Sequence, residues 1–499
     1  MTTKKNKEKN REDNNNELEN ELELPKSITA KKNSDFSKWF NQVLSVAGMI
    51  DKRYNVKGCF VWLNYGYETM LNIKKIWDSL LKENGYKELY FPQLVPVEYA
   101  KINEKWWNSF KKQAFFVTGS QEKEQNYILR PTGEPAMYPM FKLWIRSYKD
   151  LPIRIYETVS SFRYETKHTR PLIRDREITV WHEIHTAHAT REESEEELKN
   201  HMRIWDEIWN ELCLTPLKVE KPIWECFPGA LGAVEYYSLM PSGKIMENGS
   251  CNNLGQAYAK KFDIKFKKAD GTEDYAWMTC TGNGARLLAA VIGIHGDDNG
   301  LILPPKIAPV QVVIIPIFDD ENKNLVLEKS KQILKRLRDD GKRVFLDDSE
   351  DSVGSKFYNW EIKGVPLRIE LGFKEISKDK FCIVRRDLRK REFFDIEDVS
   401  SVVNKKLSEI EVDLLNKSKR FLEENIVFVN SKKDAVENLK KNKIVKIYWC
   451  GSSECWDKVK EFGEGIELFG SDLKKKEKEG ECLICQKKTN KTGYVANTY

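Results

Sequence analysis

Residues 161–185, SFRYETKHTRPLIRDREITVWHEIH, decide the fold of the first half of this chain. The residues on either side of the polar loop alternate like two strands, which predicts a β-hairpin. Successive strand side chains point to opposite faces, so Arg163 and Glu165 share one face, and Trp181 and Glu183 share one on the return strand. Fixed charges on a rigid sheet suit a site that holds a phosphate-bearing substrate. Taken alone, the motif also fits a solvated surface hairpin.

The composition indicates a large globular protein with a strongly solvated surface. The chain has 499 residues, of which 40% are apolar and 32% charged, a length that favours about three domains. The net charge of +6 permits contact with nucleic acid without requiring it. No apolar run approaches the roughly 20 residues of a membrane span, and no signal-peptide core is visible. The ten cysteines are not spaced like a secreted disulfide framework, so we expect a cytoplasmic protein without membrane contact.

Composition and periodicity divide the chain into four segments. Residues 1–33 are rich in Lys, Glu and Asn, which predicts a disordered charged tail. A first folded domain is expected over 34–305, an α/β domain over 306–405 and a C-terminal domain over 406–499. The α/β assignment rests on alternating patterns: strands at 311–315, 343–346 and 365–371, and a helix at 325–337. Helices are also predicted at 67–84 and after the capping box that begins at Thr190.

Three further motifs accompany the hairpin in the first half. Residues 129–134 read LRPTGE, residues 246–256 read MENGSCNNLGQ, and residues 280–286 read CTGNGAR before an apolar run. The last motif is a glycine-rich turn leading into a buried helix with Arg286 at its start. Backbone N–H groups at a helix N-terminus favour anions, and an arginine adds a charge-assisted contact. Each motif is weak alone, and no Walker P-loop is present.

The order of these motifs resembles class II aminoacyl-tRNA synthetases. The phrases LRPTGE, WHEIHTA from Trp181, HGD from His295, GLILPP from Gly300 and KFYNWEIKGVPLR from Lys356 look specifically like the archaeal/eukaryotic prolyl-tRNA synthetase family, as does the terminal tyrosine. The resemblance covers residues 36–499. It implies an α/β protein with a class II antiparallel-sheet catalytic domain, an α/β anticodon-binding domain and a small α+β zinc-binding C-terminal domain.

The resemblance also implies a proline–tRNA ligase that uses ATP and Mg²⁺ to form prolyl-adenylate and passes the prolyl group to tRNA(Pro). Arg163 and Arg286 would be catalytic. The implied proline-binding residues are Thr132, Glu134, Arg163, Trp181, Glu183, Phe227 and Asn252. The implied ATP-binding residues are Arg163, Glu165, Arg174, Glu247, Ser250 and Arg286.

Two positions depart from the family pattern, which usually has Gln where Glu247 stands and His where Asn252 stands. A carboxylate at 247 can strengthen Mg²⁺ binding, because hard cations prefer carboxylate oxygen. Asn252 keeps hydrogen-bonding capacity but loses an aromatic ring and a titratable group. These changes bear on the proline contacts more than on the reaction class.

Two short cysteine knuckles near the C-terminus predict a metal centre. Cys450 and Cys455 are separated by four residues, and Cys482 and Cys485 by two. Four thiolates in paired spacing can bind zinc tetrahedrally, whereas free thiols on surface turns are the alternative. We expect a closed structural zinc site, which the resemblance supports. For His182, His185 and His188 the spacing favours a core or substrate-shell role over metal binding.

In the α/β domain, Glu361, Lys363, Arg368 and Glu370 are predicted on or near one strand, as a solvated face or a recognition surface. The resemblance implies that Glu361, Lys363 and Arg368 read the tRNA anticodon, which requires splayed bases and charged side chains at their edges. The basic run at 474–476 fits a solvated loop.

The resemblance further implies a homodimer with Pro92 near its interface, and a terminal Tyr499 that packs back toward the catalytic domain. Two alternatives remain open at this point. One is a class II synthetase for another small amino acid, and the other is a non-enzymatic tRNA-binding relative.

Overall fold

An antiparallel sheet dominates the larger part of the structure, a computed structural model that describes residues 24–120, 124–166, 168–473 and 478–499. In spatial order the eleven strands found among these residues are Ile426–Phe428, Ile444–Tyr448, Thr492–Thr498, Ile466–Ser471, Leu217–Lys221, Gly232–Leu239, Lys244–Gly255, Trp277–Asn283, Glu177–His188, Ile153–Phe162 and Lys87–Glu88. The predicted hairpin is confirmed, because Ile153–Phe162 pairs with Glu177–His188 in antiparallel register.

A long helix covers the face of this sheet behind the hairpin. Helix Arg191–Glu211 begins with the predicted capping box, in which the Thr190 hydroxyl accepts a hydrogen bond from the Glu193 N–H at 3.1 Å. Its buried Trp205 packs 6.0 Å from Trp77 and 5.0 Å from Tyr236, measured between ring centroids. These aromatic contacts fix the helix on the sheet and leave the opposite face for other groups.

The C-terminal section mixes helices and strands as predicted, but its strands extend the catalytic sheet. Ile466–Ser471 pairs with Leu217–Lys221, and Thr492–Thr498 pairs in parallel with Lys244–Gly255. The chain end therefore lies beside the strand that carries Glu247. The predicted return of the terminus is confirmed, since Arg174 Nη2 donates to the Tyr499 carbonyl oxygen at 2.9 Å.

The chain divides into two units, each built from separated segments. One contains the described residues up to Thr69 with Gly296–Leu407, and the other contains Met70–His295 with Ser408–Tyr499. The predicted limit at 405/406 falls inside helix Val399–Glu424. Of the predicted tail, residues 1–23 lie outside the described residues, as does the basic run at 474–476; within 24–33, the Lys32 side chain donates to the Gly296 carbonyl oxygen at 2.6 Å.

The first unit contains a five-stranded sheet that confirms the predicted α/β alternation. Its strands, in spatial order, are Val344–Leu346, Val312–Ile317, Leu367–Gly372, Lys380–Arg385 and Arg391–Asp395. The first three are parallel and the last two antiparallel. One assignment from the sequence is wrong: Glu361 lies in helix Val353–Ile362 rather than on or near a strand. Ser352 caps this helix at its N-terminus, and Gly364, at a φ of +69°, follows its C-terminus.

The remaining elements connect these layers. The other α-helices are Phe36–Val46, Asn64–Glu83, Val97–Lys101, Glu104–Phe110, Glu134–Trp144, Ala257–Phe262, Arg286–His295, Lys323–Asp339, Phe373–Ile376, Lys432–Lys440 and Ser453–Lys458. The other strands are Ile50–Asp51, Val61–Trp62, Leu94–Pro96, Phe115–Val117, Tyr127–Leu129, Lys265–Lys267, Glu273–Tyr275, Gly480–Glu481 and Lys488–Thr489. Within the described ranges, no helix has both the length and the apolar character needed to cross a bilayer.

Candidate active site and metal centre

All residues predicted to bind proline or ATP line one cavity in the second unit. The cavity has a volume of about 240 Å³ and lies on the sheet face above the hairpin. The predicted residues that line it are Thr132, Glu134, Arg163, Glu165, Arg174, Trp181, Glu183, Phe227, Glu247, Ser250, Asn252 and Arg286. Residues from five separate stretches of the sequence thus meet around one space, as a binding site requires.

One end of the cavity is strongly acidic and buried. The Thr132 hydroxyl lies 2.7 Å from Glu134 Oε2 and 2.6 Å from Glu183 Oε1. A hydroxyl has one proton to donate, so it cannot donate to two ionised carboxylates at once. Glu183 Oε2 is buried and has no hydrogen-bond partner among the described residues. This end therefore offers acceptor atoms and negative charge to a small cation that carries N–H donors.

The pKa of Glu134 is shifted in this buried group of carboxylates. Burial, and then the neighbouring carboxylate of Glu183, raise the pKa of Glu134 to about 7. Behind this pair, Arg130 is fully buried and forms an ion pair with the buried Glu157. Arg130 Nη1 is 3.8 Å from Glu183 Oε2, so one guanidinium faces several carboxylates. A bound cation would restore the balance and favour the ionised form of Glu134.

Two arginines held by main-chain groups form a basic end of the same cavity, next to these carboxylates. Arg163 Nε donates to the Pro131 carbonyl oxygen at 3.1 Å, and its guanidinium lies 5.4 Å from the Trp181 ring centroid. Arg286 Nε donates to the Ile173 carbonyl oxygen at 2.9 Å, and its Nη1 to that of Glu247 at 2.9 Å. Burial, and then the charge of Arg286, lower the pKa of Arg163. Two adjacent cations in a partly buried cavity favour a polyanion between them.

A β-bulge brings Glu247 to the same cavity as Ser250. Along Lys244–Gly255 the pairing passes from Gly249 opposite Tyr236 directly to Glu247 opposite Tyr237, so Asn248 is the extra residue. Strict alternation would place residues 247 and 250 on opposite faces, and the bulge removes this conflict. The Asn248 side chain then donates to the Arg286 carbonyl oxygen at 3.0 Å, linking the bulge to helix Arg286–His295.

Glycines allow Trp181 to lie flat on the neighbouring strand. A Cβ atom on Gly282 would lie 3.0 Å from Trp181 Cζ2, and one on Gly284 would lie 2.9 Å from Trp181 Cε3. Both distances are shorter than ordinary carbon contacts, so side chains at these positions would displace the indole. The glycine-rich turn thus accommodates the Trp181 indole as well as leading into helix Arg286–His295.

Sequence reasoning missed several lining residues. Phe110, Ile178 and Asn248 also face the cavity. Phe110 is the last residue of helix Glu104–Phe110. The guanidinium of Arg163 lies 5.8 Å from the centroid of the Phe110 ring. Ile178 shares the return strand with Trp181, and a bulge places Asn248. No motif of the sequence analysis includes Phe110.

The three histidines of the return strand occupy the core, as predicted. Burial lowers the pKa of His182 to about 3 and that of His185 to about 4, so both are neutral. His182 Nδ1 lies 2.9 Å from Thr158 Oγ1, and His185 Nδ1 lies 2.9 Å from the Tyr138 hydroxyl. His185 also lines the cavity, so its position fits the substrate-shell part of the prediction as well.

The predicted metal centre assembles all four cysteines. The sulfur atoms of Cys450, Cys455, Cys482 and Cys485 lie within 4.8 Å of one another, and Cys450 Sγ is 3.6 Å from the sulfurs of both Cys455 and Cys485. Zinc bound to four thiolates at about 2.3 Å separates the sulfurs by about 3.8 Å, so the cluster fits this ion. Burial opposes ionisation of Cys450, but hydrogen bonds from Ser452 outweigh it and lower the pKa of the thiol to about 7.

In the first unit, two of the three residues predicted to read an anticodon meet at a small cavity. Glu361 and Arg368 line a space of about 50 Å³ together with the buried Arg385 and Arg386. Arg368 lies 4.1 Å from the Phe357 ring centroid. Lys363 lies outside the lining, and its Nζ sits 4.8 Å from the Trp360 ring centroid.

Comparison with known families divides the chain into three matched regions. Residues 115–295 match the tRNA synthetase class II core domain (G, H, P, S and T), residues 311–406 the anticodon binding domain, and residues 432–499 the C-terminal domain of prolyl-tRNA synthetase.

Individual relatives match over nearly the whole chain. The proline–tRNA ligase of Methanopyrus kandleri is 40% identical over 93% of this chain and 96% of its own length. That of Pyrococcus abyssi is 40% identical over 94% and 98%. Among solved structures, Giardia lamblia prolyl-tRNA synthetase in complex with prolyl-adenylate has a TM-score of 0.91 at 32% identity, covering 95% of this chain and 100% of that one. The Cryptosporidium parvum enzyme with L-proline and AMP has a TM-score of 0.87 at 31% identity, covering 95% and 99%.

Proposed function

This chain belongs to the prolyl-tRNA synthetase family of class II ligases, and we propose how its residues divide the work of that reaction. The reaction joins L-proline to ATP as prolyl-adenylate with release of pyrophosphate, and then transfers the prolyl group to the 3′ end of tRNA(Pro). The observation that carries the proposal is that one cavity is lined by a buried carboxylate oxygen without a hydrogen-bond partner among the described residues and by two adjacent arginines.

The acidic end binds the imino group of proline. Proline enters as a zwitterion whose secondary ammonium group has two N–H donors, which pair with the carboxylates of Glu134 and Glu183 while Thr132 completes the hydrogen bonds. Trp181 and Phe227 enclose the pyrrolidine ring between apolar surfaces, and Asn252 borders the same pocket. The fit is close, since the Trp181 ring cannot retreat past Gly282 and Gly284.

The basic end binds ATP and brings its α-phosphate to the proline carboxylate. Arg163 contacts both groups and stabilises the charge that develops as the mixed anhydride forms. Arg286 binds the terminal phosphate, Glu165 positions the adenine, and Arg174 borders the nucleotide. Ser250 contributes a hydroxyl beside them. Positioning and cationic stabilisation are sufficient for this in-line displacement, so no nucleophilic side chain is needed.

Glu247 offers a site for Mg²⁺ next to the phosphates. Its side chain is exposed on the cavity wall. The pKa of the neighbouring Glu235 is raised to about 7, first by the burial of Glu235 and second by the negative charge of Glu247. The Glu247 carboxylate offers the oxygen ligand that a hard divalent cation prefers. When bound, Mg²⁺ neutralises phosphate charge. Glu247 would hold it, and the chain's arginines would orient the nucleotide.

The four-cysteine cluster holds a structural zinc ion. The sulfur spacing supports this assignment, and a closed set of four thiolates leaves no open position for catalytic water. Zinc content near one ion per chain, measured by elemental analysis of pure protein, tests it.

The first unit recognises the anticodon of tRNA(Pro) through Glu361 and Arg368. Arg368 stacks on Phe357 and is ion-paired with Glu370 at 2.8 Å, which orients its guanidinium edge. Lys363 contributes positive charge beside Trp360 rather than a contact in the cavity.

The enzyme acts in the cytoplasm as a homodimer. Apolar side chains flank Pro92 at the predicted interface, where Tyr90 is 73% exposed and Leu94 is 44% exposed. All ten cysteines are free of disulfides, which suits a reducing compartment. Sedimentation analysis tests the dimer.

ATP–pyrophosphate exchange tests the function directly. Exchange that depends on L-proline supports the proposal, whereas faster exchange with threonine, serine or cysteine would assign a different amino acid. No exchange with any amino acid, together with tight tRNA binding, would indicate a non-enzymatic relative.

A further inference from the structure

Two tryptophans are fixed directly to the cysteine cluster. Trp449 precedes Cys450, and Trp456 follows Cys455. Both indoles are buried, at 2% and 6% exposure, and their ring centroids are 5.6 Å apart. Because each ring is next in sequence to a predicted zinc ligand, their positions depend on the closed geometry of the four sulfurs.

A third tryptophan reaches this pair from the catalytic part of the same unit. Trp224 presents its ring edge-on to both indoles, at 6.4 Å and 80° from Trp449 and at 6.2 Å and 90° from Trp456. Edge-to-face packing of this kind is the favourable arrangement for aromatic pairs. Trp224 is itself 47% exposed, so these two contacts supply much of what holds its side chain.

Trp224 lies in a tight turn that carries a wall of the proline pocket. The turn Ile223–Glu225 closes with a hydrogen bond from the Glu225 N–H to the Pro222 carbonyl oxygen at 2.9 Å. Phe227 follows three residues after Trp224 and lines the cavity. Between them, Cys226 Sγ lies 3.4 Å from the same Pro222 oxygen. A turn this short transmits a shift of the Trp224 ring to Phe227.

Lys221, the first residue of the segment 221–227, lies near one of the same tryptophans, Trp456. Lys221 Nζ lies 5.5 Å from the Trp456 ring centroid and 3.3 Å from Glu235 Oε2. Glu235 borders a space of about 250 Å³ that also contacts Phe227 and Glu247. Both ends of the segment 221–227 therefore connect the tryptophans to the cavity.

We propose that Trp224, Trp449 and Trp456 couple the four-cysteine centre to the amino-acid pocket, and that Trp224 is a positioning residue for Phe227. The inference rests on the proposed function for the identity of the amino acid and for the zinc ion. It assigns the metal centre a role beyond holding its own module together: the centre sets the enclosure of the proline ring.

The test compares Trp224→Ala with Ile223→Ala in the zinc-loaded full-length enzyme. Ile223 is 59% exposed and adjacent, so its variant controls for truncation of the turn surface. We expect Trp224→Ala to raise the KM for proline by about threefold to tenfold, the effect of losing edge-on ring contacts. The KM for ATP and the zinc content should not change. Trp224→Phe should restore most of the proline affinity, and Ile223→Ala should match the wild type.

Amide hydrogen exchange over residues 222–230 gives a readout independent of catalysis. We expect faster exchange there in Trp224→Ala and in wild type stripped of zinc by a chelator, while 448–456 keeps its protection in the variant. The inference would be overturned if Trp224→Ala had the wild-type KM for proline and the wild-type rate of amide hydrogen exchange. It would also be overturned if the wild-type protein kept its protection at 222–230 after removal of zinc. A wild-type protein with no proline-dependent activity would instead refute the proposed function. Amide hydrogen exchange would still test whether the cysteine centre is coupled to residues 222–230.

Discussion

Replacing Glu134 by glutamine should stabilise the protein at pH 8 while destroying its use of proline. Glu134 is 2% exposed, and burial beside Glu183 raises its pKa from 4.5 to about 7. Each unit of pKa shift corresponds to about 1.4 kcal/mol, so the ionised carboxylate costs the folded state about 3 kcal/mol. Glutamine keeps the shape and one oxygen acceptor but cannot ionise, so the variant avoids this cost.

The sign of the effect follows from which state holds the proton. Below pH 4.5 both the folded and the unfolded chain keep Glu134 protonated, so the free energy of unfolding gains no contribution from this group. Between pH 4.5 and 7 the unfolded chain ionises first, so stability of the wild type falls as pH rises. Above pH 7 the full cost is present, and the Glu134→Gln variant should exceed the wild type by about 3 kcal/mol.

Urea unfolding of both proteins at pH 5 and pH 8 measures this difference. The advantage of the variant should be small at pH 5 and large at pH 8. The variant Glu192→Gln controls for the loss of a carboxylate at an exposed position. Equal stability of the two proteins at pH 8 would refute the assignment of a costly buried charge. So would an advantage of the variant over the wild type that is smaller at pH 8 than at pH 5.

Catalysis should show the opposite preference, because the ammonium group of proline pairs with the ionised form of Glu134. The kcat/KM for proline in the wild type should rise about tenfold per pH unit below pH 7 and level off above it, as Glu134 loses its proton. Glu134→Gln should lose about 10- to 100-fold in kcat/KM at pH 8, the usual value of a charge-assisted hydrogen bond. A pH profile that is flat between 6 and 8 would contradict this account.

Three further predictions concern the other parts of the site. Arg286→Lys should lower kcat/KM for ATP by about 100-fold with little change in the KM for proline, because lysine cannot reproduce both carbonyl contacts; steady-state exchange kinetics would show it. Cys482→Ser should lose zinc and lower the melting temperature by several degrees, measured by elemental analysis and calorimetry; full zinc retention would contradict the tetrahedral site. Deletion of Tyr499 should free Arg174 and raise the KM for ATP by about tenfold, and an unchanged KM would show that the terminal carbonyl does not orient this side chain.

Local periodicity was sufficient to predict the main elements. The hairpin, the capped helix after Thr190 and the alternation of the first unit all follow from residue spacing, and each is present. Short-range rules succeed here because side-chain direction in a strand or helix depends on neighbours in sequence. The residues of the cavity were predicted from the order of the motifs along the chain. No rule based on local spacing predicts that Thr132 and Arg286 line the same cavity.

Sequence spacing failed where tertiary pairing changes the rule. The bulge at Asn248 is defined by the partner strand, so alternation in Lys244–Gly255 alone cannot reveal which residues share the cavity. The position of Glu361 was missed because its segment contains a helix that ends only a few residues before the strand. The extension of the catalytic sheet by Thr492–Thr498 depends on pairing over long sequence distances, which periodicity does not report.

The side chains of Glu247 and Asn252, the two expected departures from the family pattern, are held in the site to different degrees. Glu247 holds Arg286 through its main-chain carbonyl oxygen, so the anchor of this arginine does not depend on the side chain at 247. That side chain is therefore free to change the charge near the phosphates without disturbing the arginine. Asn252 Nδ2, in contrast, donates to Ser250 Oγ at 2.9 Å and lies 3.4 Å from the Cys280 carbonyl oxygen. Its amide is thus bound into the cavity wall. Under the proposed function, Trp181 and Phe227 are the aromatic surfaces beside the amino acid, so a shift of Phe227 would change the shape of the pocket, which is the effect that the Trp224 variant tests.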